Sequence, residues 1–169
     1  MACRSHLAAK LAPIVVVALA LLGCATSRDL PAFQPASSQG ALVRWQRGKV
    51  SMTSDAVFAR SANGSVLLRL YKQSPAPLLE LRLEPDSHLV AKGTLAGPGW
   101  AGPASSAPAP LLVWTILLTA CQNANHLPDG ENEIHTAAAH IACVKQDSHL
   151  KSLSISRTDA PESVTILFK

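Results

Sequence analysis

The chain has 169 residues, a formal net charge of +4 at pH 7 and 4% aromatic residues. That length carries one domain with a real core. Its basic residues form no dense run and are not interleaved with aromatics, which argues against a nucleic-acid partner.

The N-terminal segment holds Arg4 and Lys10 and no acid. It leads into an apolar run over residues 11–22 that closes on Leu21-Leu22-Gly23-Cys24. A basic start, a brief hydrophobic core and a small residue at the cut describe an export signal. The run is shorter than the roughly 20 apolar residues a membrane-spanning helix needs. The Leu-Leu-Gly-Cys ending resembles the lipobox of bacterial lipoproteins, in which the Cys is acylated and becomes the first residue. The resemblance implies a signal peptide over 1–23, cleavage before Cys24 and a lipid, palmitate included, on Cys24. Several acyl chains, each buried CH₂ contributing about 0.8 kcal/mol, would hold such a protein on a membrane. Ala25 in place of Asp after the Cys implies the outer membrane, on its periplasmic face.

Residues 25–40 carry Pro31, Pro35 and three Ser with little periodicity, which predicts a flexible tether over 24–40 and ordered structure from Ala41. Residues 42–52 read as a first strand, with Val43 and Trp45 on one face and Arg44 on the other. Residues 57–60 and 66–71 flank Asn63-Gly64, the dipeptide that best supports a type I′ hairpin. Leu79, Leu81 and Leu83 alternate with Glu80, Arg82 and Glu84, so one face of that strand is buried and the other wet. Residues 88–95 supply its partner.

Residues 96–110 turn to Gly, Pro, Ala and Ser around a lone Trp100 and read as a long loop, with Trp100 a candidate membrane or ligand contact. Pro110 suits the start of a helix over 111–124, apolar on all sides and therefore buried. After a turn at Pro128-Asp129-Gly130, residues 133–144, 149–157 and 163–168 read as strands. The sum is an α+β domain: a curved antiparallel sheet of about seven strands, an incomplete barrel with one inserted apolar helix.

No Gly-x-Ser-x-Gly elbow occurs, and nothing orders a Ser against a His, so the chain reads as a non-enzyme without a cofactor. Asp129, Glu131 and Glu133 solvate a turn. His126, His135, His140 and Cys143 form the one metal-like group. On a single strand His135 and His140 point to opposite faces, and on a helix they sit ~140° apart, so no metal site is expected. Loss of Cys3 with the signal and acylation of Cys24 leave Cys121 and Cys143, either a disulfide or two buried thiols. Small residues over 136–142 leave two packings open: close approach of the helix, or a cavity that an acyl chain could fill.

The order of a lipidated Cys24, a tether, a Trp45-x-x-Gly48-x-Val50 entry strand, antiparallel hairpins, an interrupting helix and a closing hairpin resembles the lipoprotein carrier and receptor family (LolA/LolB-like), in particular its membrane-anchored receptor branch. The resemblance implies a half-barrel domain over 41–169 that shelters acyl chains. The helix would be its lid, carrying Leu117, and Leu79, Leu81 and Leu83 would line the interior. Expected partners are then the membrane through its anchor, acyl chains and lipoproteins. A different reading, from the sheet's edge and loops, is a structural or assembly lipoprotein that docks an envelope protein.

Overall fold

The computed structural model describes residues 30–72 and 76–169, and residues Ala32–Lys169 form one compact unit. Among the described residues ten strands make one antiparallel sheet, in the order β6-β5-β4-β3-β2-β1-β10-β9-β8-β7. The strands are β1 Pro35–Arg47, β2 Val50–Ser61, β3 Val66–Tyr71, β4 Leu79–Leu83, β5 His88–Lys92, β6 Trp100–Pro103, β7 Gly130–His135, β8 Ala139–Gln146, β9 His149–Arg157 and β10 Glu162–Phe168. The sheet does not close into a barrel, because β6 and β7 are its two outer strands. One α-helix, α1 (Leu112–Asn123), is inserted between β6 and β7.

Period-two patterning decides which face is covered. Ala41 and Val43 on β1, Leu68 and Leu70 on β3, and Leu79, Leu81 and Leu83 on β4 all turn inward. So do Leu89 and Ala91 on β5, Leu153 and Ile155 on β9, and Val164 and Ile166 on β10, and all are buried. The helix lies on this face and packs against β3 and β4 on one side and β9 and β10 on the other. From β4 to β9 is five strand spacings, roughly 24 Å if the sheet were flat. A helix is only about 10–12 Å across. One helix can touch both halves only because the sheet curves around it.

Three local contacts seat α1. The Trp114 ring meets the Trp45 ring of β1 at 6.2 Å. The Arg60 guanidinium, reaching over from β2, donates to the Cys121 carbonyl at 2.7 Å, and Gln122 Nε2 donates to the Gly64 carbonyl at 3.1 Å. A cation on the last carbonyls of a helix satisfies acceptors with no partner inside the helix and suits its dipole. No helix among the described residues is long and apolar enough to cross a membrane.

Several boundaries differ from the sequence reading. β1 starts at Pro35, inside the expected tether, because residues 37–40 pair with β2 and the Gly40 carbonyl accepts from Lys169 N at 2.9 Å. Residues 42–52 are split by a two-residue turn at Gly48-Lys49, where Gly48 takes φ +58°. The stretch 133–144 is likewise two strands, β7 and β8, separated by residues 136–138. The loop over 96–110 contains β6. Asn63-Gly64 does turn a hairpin, but Gly64 alone takes positive φ, +89°, and its N–H donates to the Ser61 carbonyl. That is the three-residue hairpin with a Gly bulge rather than type I′. The turns at 48–49 and 136–138 carry none of the strongest turn dipeptides, and their neighbours continue a strand-compatible pattern.

Leu117 is fully buried at the centre of the helix–sheet contact. Leu117→Ala should therefore lower unfolding free energy by about 3 kcal/mol, within the usual range for buried Leu→Ala. Urea denaturation measures this. A loss under about 1 kcal/mol would mean that this face of the helix does not hold the fold together.

Candidate functional site

The helix packs chiefly on β3, β4, β9 and β10, and what it leaves uncovered toward β7 is a cleft of about 450 Å³. One wall is the flank of α1 formed by Ile116, Thr119, Ala120 and Asn123; the other is Ile134 of β7, Ile141 and Cys143 of β8 and Leu153 of β9. Spacing in the sequence explains the flank. Val113, Trp114, Leu117, Leu118 and Cys121 fill the buried faces, while Thr119 and Asn123 recur four residues apart on the side turned away from the core. The sheet wall stays open because β7 is an outer strand lying past the helix. Ile134 remains 40% exposed, although its cross-strand partner Ile141 is buried.

A smaller hollow of about 230 Å³ shares Ala104, Ser105, Thr115 and Ile116 with this cleft and extends it to Ala138, Arg157 and Asp159. Together they make a groove along α1. Its polar content is low: the Thr115 hydroxyl is already spent on the Leu111 carbonyl at 2.9 Å. Volume and lining match small apolar ligand sites, which run from about 300 to 1,000 Å³.

At the far end of the groove the Arg157 guanidinium donates to Asp159 at 2.6 and 2.9 Å and to Glu162 at 3.1 Å. Glu162 also accepts from the Trp45 indole N–H at 3.1 Å. The guanidinium hydrogen bonds foremost, with its charge, hold the Asp159 carboxyl below the usual carboxylate range. Asp159 in return is the main group raising the Arg157 pKa, against some desolvation.

The sequence-predicted residues fall into separate places. Cys24 lies outside the described residues. Leu79, Leu81, Leu83 and Leu117 face inward as expected, but they are packed into the core on the other side of the helix, and none lines the cleft. The small residues over 136–142 also contribute less than expected. Ala137 and Ala138 fall in the turn and Ala142 faces outward, leaving Ala139 on the inner side. The opening comes instead from the outer position of β7 and the small flank of α1, which no one-dimensional pattern displays. Trp100 is half-buried on β6 with its ring folded over Gly102, so it is not a free loop contact.

Cys121 and Cys143 are both free thiols, buried, so no disulfide joins them. Burial pushes the Cys121 thiol up to about 12, opposed by the charge of Arg60. Burial also raises Cys143, opposed by Lys145. Asp129 does serve a turn: its carboxylate accepts the Ser148 N–H at 3.1 Å, holding the β8–β9 loop in which Asp147 and Ser148 both take positive φ.

One constellation contradicts the sequence reading outright. With a turn at 136–138, His135 and His140 are direct cross-strand partners, and their rings stack at 4.2 Å. Glu133, two residues before His135 on the same face, completes a group whose ligand atoms lie within 4.8 Å of one another. Neither a single strand nor a helix would bring the two histidines together, but the segment is a hairpin. Thr136 was the available signal: its hydroxyl accepts the Ala139 N–H at 3.0 Å and closes the turn.

A scan against protein-family models and a search of curated proteins gave no match to this chain.

Two outcomes follow from the electrostatics. In the native protein Cys121 should resist iodoacetamide at pH 8 and react once urea unfolds the chain; peptide mapping reads this, and native labelling at Cys121 would contradict its burial. Because the Asp159 pKa is lowered on folding, its stabilising effect is complete above its unfolded value, about 3.9, and is lost as pH falls through the lowered one. Asp159→Asn should therefore be less stable than wild type at pH 7, with the gap closing in strong acid. A pH-independent gap in urea midpoints would place the effect elsewhere.

Proposed function

We propose that this is a lipid-anchored envelope protein whose domain holds an acyl chain in the groove between α1 and strands β7–β9, as a receptor or shuttle for lipids or lipoproteins. The observation that carries the binding half is the open apolar cleft walled by Ile116, Ala120, Ile134, Ile141 and Leu153. The membrane half rests on the Leu21-Leu22-Gly23-Cys24 motif, and with it the placement at the outer membrane. Likeness to the lipoprotein carrier and receptor family agrees with an unclosed antiparallel sheet around an inserted helix, and remains part of the proposal.

The proposed role is binding, not catalysis. The cleft offers branched aliphatic side chains, alanines, three threonines, Ser105 and Asn123, and burial disfavours the thiolate of its Cys143. Each methylene taken from water contributes about 0.8 kcal/mol, so ten contribute roughly 8 kcal/mol before the costs of association. That magnitude suits a chain that is captured and later released. The helix acts as a fixed wall instead of a swinging lid, because Arg60 and Gly64 of the β2–β3 hairpin and Trp45 of β1 hold it. A chain would enter and leave sideways, through the opening beside β7.

The second reading, docking of an envelope protein, is favoured by one feature. As an outer strand, β7 has one backbone edge without a sheet partner among the described residues, where an extended segment could add.

Filling the cleft separates these readings. Ala120→Trp and Ile116→Glu should each reduce uptake of a fluorescent fatty acid at least tenfold, with circular dichroism unchanged, since a bulky ring or a buried charge excludes the chain. A wild-type protein that neither takes up the probe nor carries lipid in native mass spectrometry would overturn the acyl-binding role. The address is tested independently: palmitate should label the protein at Cys24, and Cys24→Ser should leave the membrane fraction. Equal membrane retention of Cys24→Ser would remove the anchor.

A further inference from the structure

We infer that the outer face of the β7–β8 hairpin is a binding site for a late first-row divalent cation, Zn²⁺ above all, made by Glu133, His135 and His140. Glu133 Oε2 lies 3.8 Å from His135 Nε2 and 3.7 Å from His140 Nε2. A tetrahedral zinc with bonds of about 2.0–2.1 Å sets its ligand atoms about 3.4 Å apart. The carboxylate is thus within a few tenths of an ångström of the required spacing. The remaining adjustment falls to His135, whose side chain is 71% exposed and whose ring must swing off the His140 ring on which it stacks.

Three further observations point to a ligand. Two imidazoles and one carboxylate, with a position left for water, are a donor set that selects zinc over calcium or magnesium, which prefer oxygen alone. His140 Nε2 is shut off from solvent and makes no hydrogen bond among the described residues. A buried ring nitrogen in that state costs free energy that coordination would recover. The backbone beneath is also fixed in advance: Thr136 N donates to the Ala139 carbonyl at 2.9 Å, and the Thr136 hydroxyl accepts the Ala139 N–H, so the turn pins His135 opposite His140.

The site is distinct from the cleft but shares its wall. Strand alternation puts Ile134, between Glu133 and His135, on the opposite face, where it lines the groove. A cation clamping β7 to β8 would stiffen an outer strand that otherwise has one neighbour.

The test is titration of the full chain in detergent, stripped with chelator beforehand, with Zn²⁺ by calorimetry and with Co²⁺ by absorption. One Zn²⁺ per chain is expected. His135→Ala and His140→Ala should each weaken binding at least about tenfold, and Glu133→Gln should weaken it measurably. The Co²⁺ spectrum should show d–d bands without thiolate charge transfer, which excludes the four cysteines as ligands. Should His140→Ala lose the native circular dichroism, His140→Asn takes its place. Absence of saturable binding up to millimolar Zn²⁺, undiminished binding in both histidine variants, or a thiolate band would each overturn the site.

Discussion

A helix apolar on nearly every side, gripped by both halves of one sheet, is the constraint from which the other features follow. Residues 112–118 leave no face of α1 that water would solvate well, so the sheet must reach around it. Reaching from β4 to β9 forces curvature, and curvature lets the leucines of β3 and β4 meet the same helix as Leu153 and Ile166. Trp45 of β1, in the middle of the strand order, meets Trp114 of the helix. Arg60 then fixes the C-terminal end by supplying donors to carbonyls that the helix cannot satisfy itself.

A single twelve-residue helix cannot cover ten strands. The shortfall appears at β7 and β8, the end of the sheet farthest from the leucine-rich strands, and it takes the form of a groove. Thr119, Ala120 and Asn123 would be poor choices for a buried helix face, and they are the residues turned toward that groove. Packing on the β4 side of the helix is close, with Leu79, Leu81, Leu83 and Leu117 at most 1% exposed. The opening lies on the other flank. It coincides with the place where both the helix and the sheet present side chains too small, or too far out, to meet.

The fold class was legible because strand alternation and an all-apolar helix are strong local signals. The alternation at residues 79–84 and 164–168, and the helix at 111–124, match the observed elements within a residue or so. What failed was punctuation. Gly48-Lys49 and Thr136-Ala137-Ala138 are turns without Asn-Gly or Pro, and reading through the second concealed the cross-strand pairing of His135 with His140. Cleft residues were illegible for a different reason. Ile116, Ile134 and Leu153 come from three elements, and whether they pack or gape depends on where the helix sits laterally, which no periodicity records. The leucines of β4 were expected to line an acyl-binding interior through the family resemblance; the alternation that turns them inward packs them into the core instead.

The edge strand β7 carries two unrelated demands on alternate residues. Glu133 and His135 face outward and Ile134 inward, so a cation held on one side and an apolar chain held on the other would act on one backbone. An outer strand with a single neighbour belongs to the less stable part of a sheet, and ordering it costs conformational entropy. Whichever ligand binds first would meet that cost and leave less for the second. The coupling would be reciprocal, each ligand changing the affinity of the other by the same factor. Such coupling needs no path through the core, because the two sites are separated only by the thickness of one strand.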